Sequence, residues 1–143
     1  MTDPGDDEID EIDEIDLDVI ALGDDEALER LRSFCTLLPE TTEVDVFGVR
    51  TFRVAVKGFA MFEVVDGYPI ITFRTTLEYQ AELVARRGFT IEPDTGHHGW
   101  TQARVTGPEA VSWDEVDELV INSYRLTAPP EYVLQLNALL DGG

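Results

Sequence analysis

From residue 43 to residue 74 the chain changes to a period of two. Phe52, Val54 and Val56 alternate with Thr51, Arg53, Ala55 and Lys57, the pattern of a strand with one buried and one open face. Turn signals at Gly58 and at Asp66-Gly67 divide the region, so the next two strands are expected over residues 59–65 and 70–74, paired antiparallel.

Helical spacing frames this region on both sides. Asp24 is an N-cap candidate, after which Leu28, Leu31, Cys35 and Leu38 recur on one face with Phe34 alongside, until Pro39 ends the helix. After the strands, Leu77, Ala81 and Val84 mark one face of a second helix that Gly88 stops. Gly96 and Gly99 flank a loop, and a strand is expected over residues 100–105. Ser112 and Glu115 form a capping box for a helix bearing Trp113, Val116, Val120 and Tyr124, and Pro130 opens a last helix through Leu140. The order predicts a two-layer α+β sandwich: an antiparallel sheet with helices on one face and the other face open to solvent or a partner.

The formal charge of −20 on 143 residues is unevenly placed. Residues 1–26 hold 13 acids and no base, whereas the remaining 117 residues hold 17 acids and 10 bases. Between Val46 and Thr106 the charges nearly balance, so the repulsion of a polyanion is concentrated in the tail and the C-terminal helices. Residues 6–18 read DDEIDEIDEIDLD, with Ile9, Ile12 and Ile15 punctuating carboxylates that repel one another at helical spacing. This predicts a disordered acidic tail over residues 1–23 and a single α+β domain over residues 24–143. The tail reads either as a solubiliser or as a segment that folds on a protein partner through its isoleucines.

No apolar stretch approaches the roughly 20 residues of a membrane span. No basic region followed by an apolar run opens the chain, so no secretory signal is read and a cytoplasmic location is expected. Cys35 is the only cysteine, which excludes an internal disulfide and a multi-cysteine zinc site; its place in an apolar helical pattern predicts a buried structural thiol.

Five segments, in this order, resemble the MmcQ/YjbR family of small bacterial proteins. They are the helix ending LLPETTE, the strand region VFGVRTFRVAVKGFAMF with its Lys57-Gly58-Phe59 turn, ITFRTTLEYQAEL, HHGWTQARV, and WDEVDELVINSYRL ending at Ala128-Pro129. The resemblance runs from about Leu28 to Pro129. It implies a double-winged hairpin arrangement and a DNA-binding role. Many members carry a basic, aromatic-rich stretch before the Trp strand, where this chain has Gly96-His97-His98-Gly99.

Alternation places Arg53 with Lys57, Thr72 with Arg74, and Trp100 with Gln102 and Arg104. If these sets share the open face, Arg53, Lys57, Arg74, Trp100, Gln102 and Arg104 are the candidate nucleic-acid-binding residues, cations for phosphate and an aromatic for stacking. The other reading is a solvated polar face with Trp100 in the core. Arg86 and Arg87 suit the end of the second helix. His97 and His98 are the only histidines; adjacent side chains seldom converge on one ion, so no metal site is expected. Asp114-Glu115 and Asp117-Glu118 read as the solvated side of an amphipathic helix, and Tyr124 and Arg125 as packing the last helix on the sheet. No nucleophile elbow, phosphate loop or HExxH motif is present, so neither an enzyme nor a cofactor is expected. Two functions follow: a DNA-binding regulatory protein whose acidic tail competes with nucleic acid, or a module that holds a protein segment or small ligand without nucleic acid.

Overall fold

The computed structural model describes residues 25–142. The expected acidic tail and the Asp24 cap lie outside the described residues. Helix α1 covers residues 25–35, followed by β1 (Thr41–Val46), β2 (Val49–Val54), β3 (Lys57–Val65) and β4 (Tyr68–Arg74). Then come α2 (Leu77–Val84), β5 (Phe89–Ile91), a 3₁₀ turn (Gly96–His98), β6 (Trp100–Arg104), α3 (Trp113–Thr127) and α4 (Pro130–Gly142). The six strands form one antiparallel sheet in the order β1-β2-β3-β4-β6-β5, so the fold is α+β as the periodicity predicts. Among the described residues no helix is long and apolar enough to cross a membrane.

Register assigns the two faces. Phe52 pairs with Ala60, Ala60 with Phe73 and Phe73 with Thr101; Phe62 pairs with Ile71 and Ile71 with Ala103. All of these are buried, and they meet Leu31 and Cys35 of α1 and Val116, Val120 and Tyr124 of α3 in one core. The Phe59 and Tyr124 rings meet edge to face at 5.2 Å. Burial pushes the Cys35 thiol pKa far up, which suits a structural role.

The β2–β3 connection departs from the sequence expectation. The turn is Ala55-Val56, both at positive φ (50° and 62°), and β3 begins two residues earlier than expected, at Lys57. Lys57 therefore pairs with Val54 and lies on the opposite side of the strands from Arg53. Gly58 is no turn residue: it pairs with Arg53 beside a bulge, where Phe59 is the extra residue before Ala60 resumes pairing with Phe52. The bulge lets both Phe59 and Ala60 enter the core. Ser123 of α3 bridges β3 to β4 just beyond the last pair of their ladder, Ala60 with Phe73. Its hydroxyl donates to Phe59 O at 2.6 Å and accepts from Arg74 N at 2.9 Å.

Helix α2 buries a different face from the one its apolar residues suggest. Leu77 and Ala81 are exposed, and Gln80 and Leu83 are buried. Thr76 caps it by accepting from Tyr79 N at 3.2 Å, and it ends at Val84, with Gly88 at φ 92° farther on. Ser112 caps α3 through Glu115 N, but the Glu115 side chain does not close the box. It takes Arg86 in two hydrogen bonds of 2.6 and 2.8 Å. Arg86 thus lies beyond α2, bridging to α3, and its guanidinium rests 5.1 Å from the Phe89 ring centroid.

Candidate functional site

The helix-free face of the sheet is built from the alternate residues of the same strands. Across it Thr51 pairs with Met61, Met61 with Thr72 and Thr72 with Gln102; Arg74 pairs with Trp100 and Ile70 with Arg104. Arg53, opposite Gly58, belongs to this face. Five of the six residues singled out from the sequence, Arg53, Arg74, Trp100, Gln102 and Arg104, therefore share one surface, and Lys57 does not.

Part of this surface is sunk into a groove of about 440 Å³, lined by Arg53 and Trp100 but not by Arg74, Gln102 or Arg104. Its floor is Thr51, Gly58, Met61 and Thr72. One wall is apolar, from Val46, Val49 and Val56 around the first two hairpins; the other is Trp100 with the segment Glu92, Asp94 and Thr95. Gly58 gives the floor its depth, since a Cβ there would lie 3.0 Å from Thr51 Cγ2 and 3.5 Å from Met61 Cε. Trp100 is half-buried, neither core nor free platform.

Sequence reasoning missed the residue that fixes the second wall. The buried Gln80 amide donates to Gly96 O (3.0 Å), Trp100 O (3.1 Å) and Thr101 Oγ1 (3.1 Å). Gly99 completes the attachment: its carbonyl accepts from Thr75 N at 3.0 Å, its φ is 97°, and a Cβ would fall 2.0 Å from Thr75 O. Glu92 folds the segment back on itself, one carboxylate oxygen accepting from Asp94 N (2.8 Å), Thr95 N (2.6 Å) and Thr95 Oγ1 (2.8 Å). Burial opposes ionisation of Glu92, but the bonds from Thr95 and Asp94 outweigh it and lower its pKa.

The arginines differ in their surroundings. Arg104 lies 3.8 Å from the Tyr68 ring centroid and 3.6 Å from Glu109. Arg74 Nε donates to His98 O at 3.3 Å. The Nε atoms of Arg53 and Arg104 are both buried without a hydrogen-bond partner among the described residues, and what sets Arg53 apart is that no described carboxylate is within ion-pairing distance of it. Of these arginines only Arg53 lines the groove, together with Glu63, Glu92 and Asp94, so the groove is mixed in charge, not basic. Gln102 Oε1 lies 3.5 Å from Thr90 Oγ1.

The remaining candidates are placed apart from the groove floor. His97 and His98 are exposed with ring centroids 4.0 Å apart, and no cluster of three or more His, Cys, Asp or Glu among the described residues could hold a metal ion. Asp117 pairs with Arg30 at 2.6 Å, so the acidic side of α3 is partly engaged rather than only solvated. Arg125 is exposed and reaches Asn137 of α4 at 3.1 Å, while Tyr124 packs on the sheet.

The sequence matches the YjbR family model over residues 36–126, the span that carries the whole sheet and the groove. The chain belongs to the YjbR family. Two solved structures share the fold. A Deinococcus radiodurans protein, DR2400, described as a DUF419 domain, aligns at TM-score 0.64 and 19% identity, over 81% of this chain and 93% of its own. A Pseudomonas syringae protein aligns at TM-score 0.55 and 16% identity, over 62% of this chain and 88% of its own. No curated protein matches the sequence. In this YjbR chain, the stretch before the Trp strand forms the 3₁₀ turn Gly96–His98 pinned by Gln80, so the departure noted in the sequence falls between the groove-lining residues Thr95 and Trp100 and outside the lining itself.

Proposed function

We propose that this YjbR protein is a non-enzymatic binding module whose ligand lies in the open-face groove, held by an apolar bed and a polar contact at Arg53. The carrying observation is a concavity of about 440 Å³ lined by Met61, Trp100, three valines and Arg53, which no described carboxylate pairs. Its size falls in the range of roughly 300–1,000 Å³ of small-ligand sites, which are mostly apolar with a few placed polar groups. The mixed charge of the groove and the total of −20 favour this reading over a polyanion.

Nucleic acid is the second reading, favoured by Arg53, Arg74 and Arg104 sharing a face with Trp100 and by the DNA-binding role that the family resemblance implies. In it, the acidic stretch within residues 1–23 competes with phosphate for the arginines. Two titrations of the full-length protein separate the readings. One follows the fluorescence of an uncharged apolar probe, N-phenyl-1-naphthylamine; the other follows the anisotropy of a labelled duplex and a labelled single strand between about 50 and 200 mM salt. The groove reading expects probe binding that is insensitive to salt and abolished by Gly58→Val, which fills the floor. Nucleic-acid binding that falls steeply with salt, without probe binding, would replace it with the second reading.

A further inference from the structure

The groove presents opposite charges on an apolar bed, and from this we propose that its ligand is a small zwitterion with an apolar body, a free hydrophobic α-amino acid or a hydrophobic dipeptide. This rests on the binding reading of the open face and names its ligand class.

Arg53 is the carboxylate contact. It lines the groove, and no described carboxylate is within ion-pairing distance of it. A carboxylate is the acceptor that a planar guanidinium matches best, through paired charge-assisted hydrogen bonds. Glu63 and Asp94 are the ammonium contacts. Both line the groove, and neither is ion-paired or accepts a hydrogen bond from a described residue, in contrast to Glu92, whose carboxylate is occupied within its own segment. Val46, Val49, Val56, Met61 and Trp100 supply the bed between them.

Other ligand chemistries meet only part of this arrangement. A fatty acid satisfies Arg53 and the bed but sets its carboxylate in the field of Glu63 and Asp94 with no cation for them. A polyamine reverses the deficit, leaving Arg53 without an acceptor. A phosphodiester strand brings repeated negative charge past both acids. The zwitterion supplies a partner to each charged group at once.

Isothermal titration of the full-length protein with L-leucyl-L-phenylalanine, its N-acetyl form, its C-terminal amide and free L-phenylalanine tests the assignment. The expected result is binding of the dipeptide or of the free amino acid, the tighter of the two identifying the source. Blocking either end of the dipeptide should weaken it about tenfold or more, as loss of a charge-assisted contact implies. Arg53→Gln should weaken the free-carboxylate form by a similar factor and leave the amide unchanged, which also shows that the variant is folded. Equal binding of blocked and unblocked forms overturns the zwitterion assignment. So does absence of all four interactions while the uncharged naphthylamine probe still binds and Gly58→Val removes it; in both cases the groove reading survives. Failure of the probe as well overturns both.

Discussion

At the scale of single residues, two polar side chains carry the clearest consequences. Ser123 gives its hydroxyl to Phe59 O and takes Arg74 N, joining β3 to β4 where their ladder ends. Ser123→Ala leaves a buried carbonyl and a backbone N–H without partners, and we expect a loss of about 2–3 kcal/mol in chemical denaturation. Glu43 accepts Arg32 Nε at 2.7 Å and Arg50 Nη2 at 2.7 Å. The hydrogen bond from Arg32, which outweighs burial and is joined by those from Arg50, lowers its pKa from 4.5 to about 2. A carboxylate depressed in this way contributes its full stability above pH 4.5 and loses it as pH falls from there toward 2. Glu43→Gln should therefore cost on the order of 2 kcal/mol near neutrality. The difference from the native chain should shrink below pH 4.5, measured by urea denaturation across pH.

At the scale of elements, β2, β3, β4 and β6 were legible because alternation is a local property, but the outer strands β1 and β5 and the turn between β2 and β3 were not. Asp66-Gly67 carries the residues that positive φ favours, and its hairpin is where the sequence puts it. Ala55-Val56 adopts the same kind of turn with a β-branched residue at φ 62°, so no composition signal marks it. Gly58, two positions on, drew the expectation instead, and the misplacement carried Lys57 onto the wrong side. Replacing Ala55-Val56 by Asn-Gly should relieve strain of about 1–3 kcal/mol and raise the melting temperature by several degrees. The face of α2 was misread for a related reason. Apolar periodicity gives no weight to Gln80, whose burial is explained only by the carbonyls of a segment 16 and 20 residues away. Gly99→Ala tests that attachment: with a Cβ 2.0 Å from Thr75 O and φ at 97°, the substitution should lower stability by more than 2 kcal/mol, roughly. It should also raise amide exchange across residues 92–100 before the rest of the sheet.

At the scale of the whole molecule, the α+β architecture followed from the order of periods, and the cofacial placement of Arg53, Arg74, Trp100, Gln102 and Arg104 followed from alternation once register was right. The groove itself was not readable, because its walls come from hairpins near Val46 and Val56 and from a segment near Asp94 that no local pattern brings together. The same distance in sequence hid the acids that offset the arginines. The arrangement of the sheet has one more effect, at its margins. The outermost strand on one side, β1, holds Glu43 on its helix-facing side, clamped by Arg32 and Arg50; the outermost strand on the other, β5, is only three residues long. Unpaired backbone on a sheet margin is a template for strand addition by a second chain, and fixed charges or brevity are the usual defences. A chain stripped of the ion cluster on β1 is therefore the one we expect to find in the pellet after centrifugation.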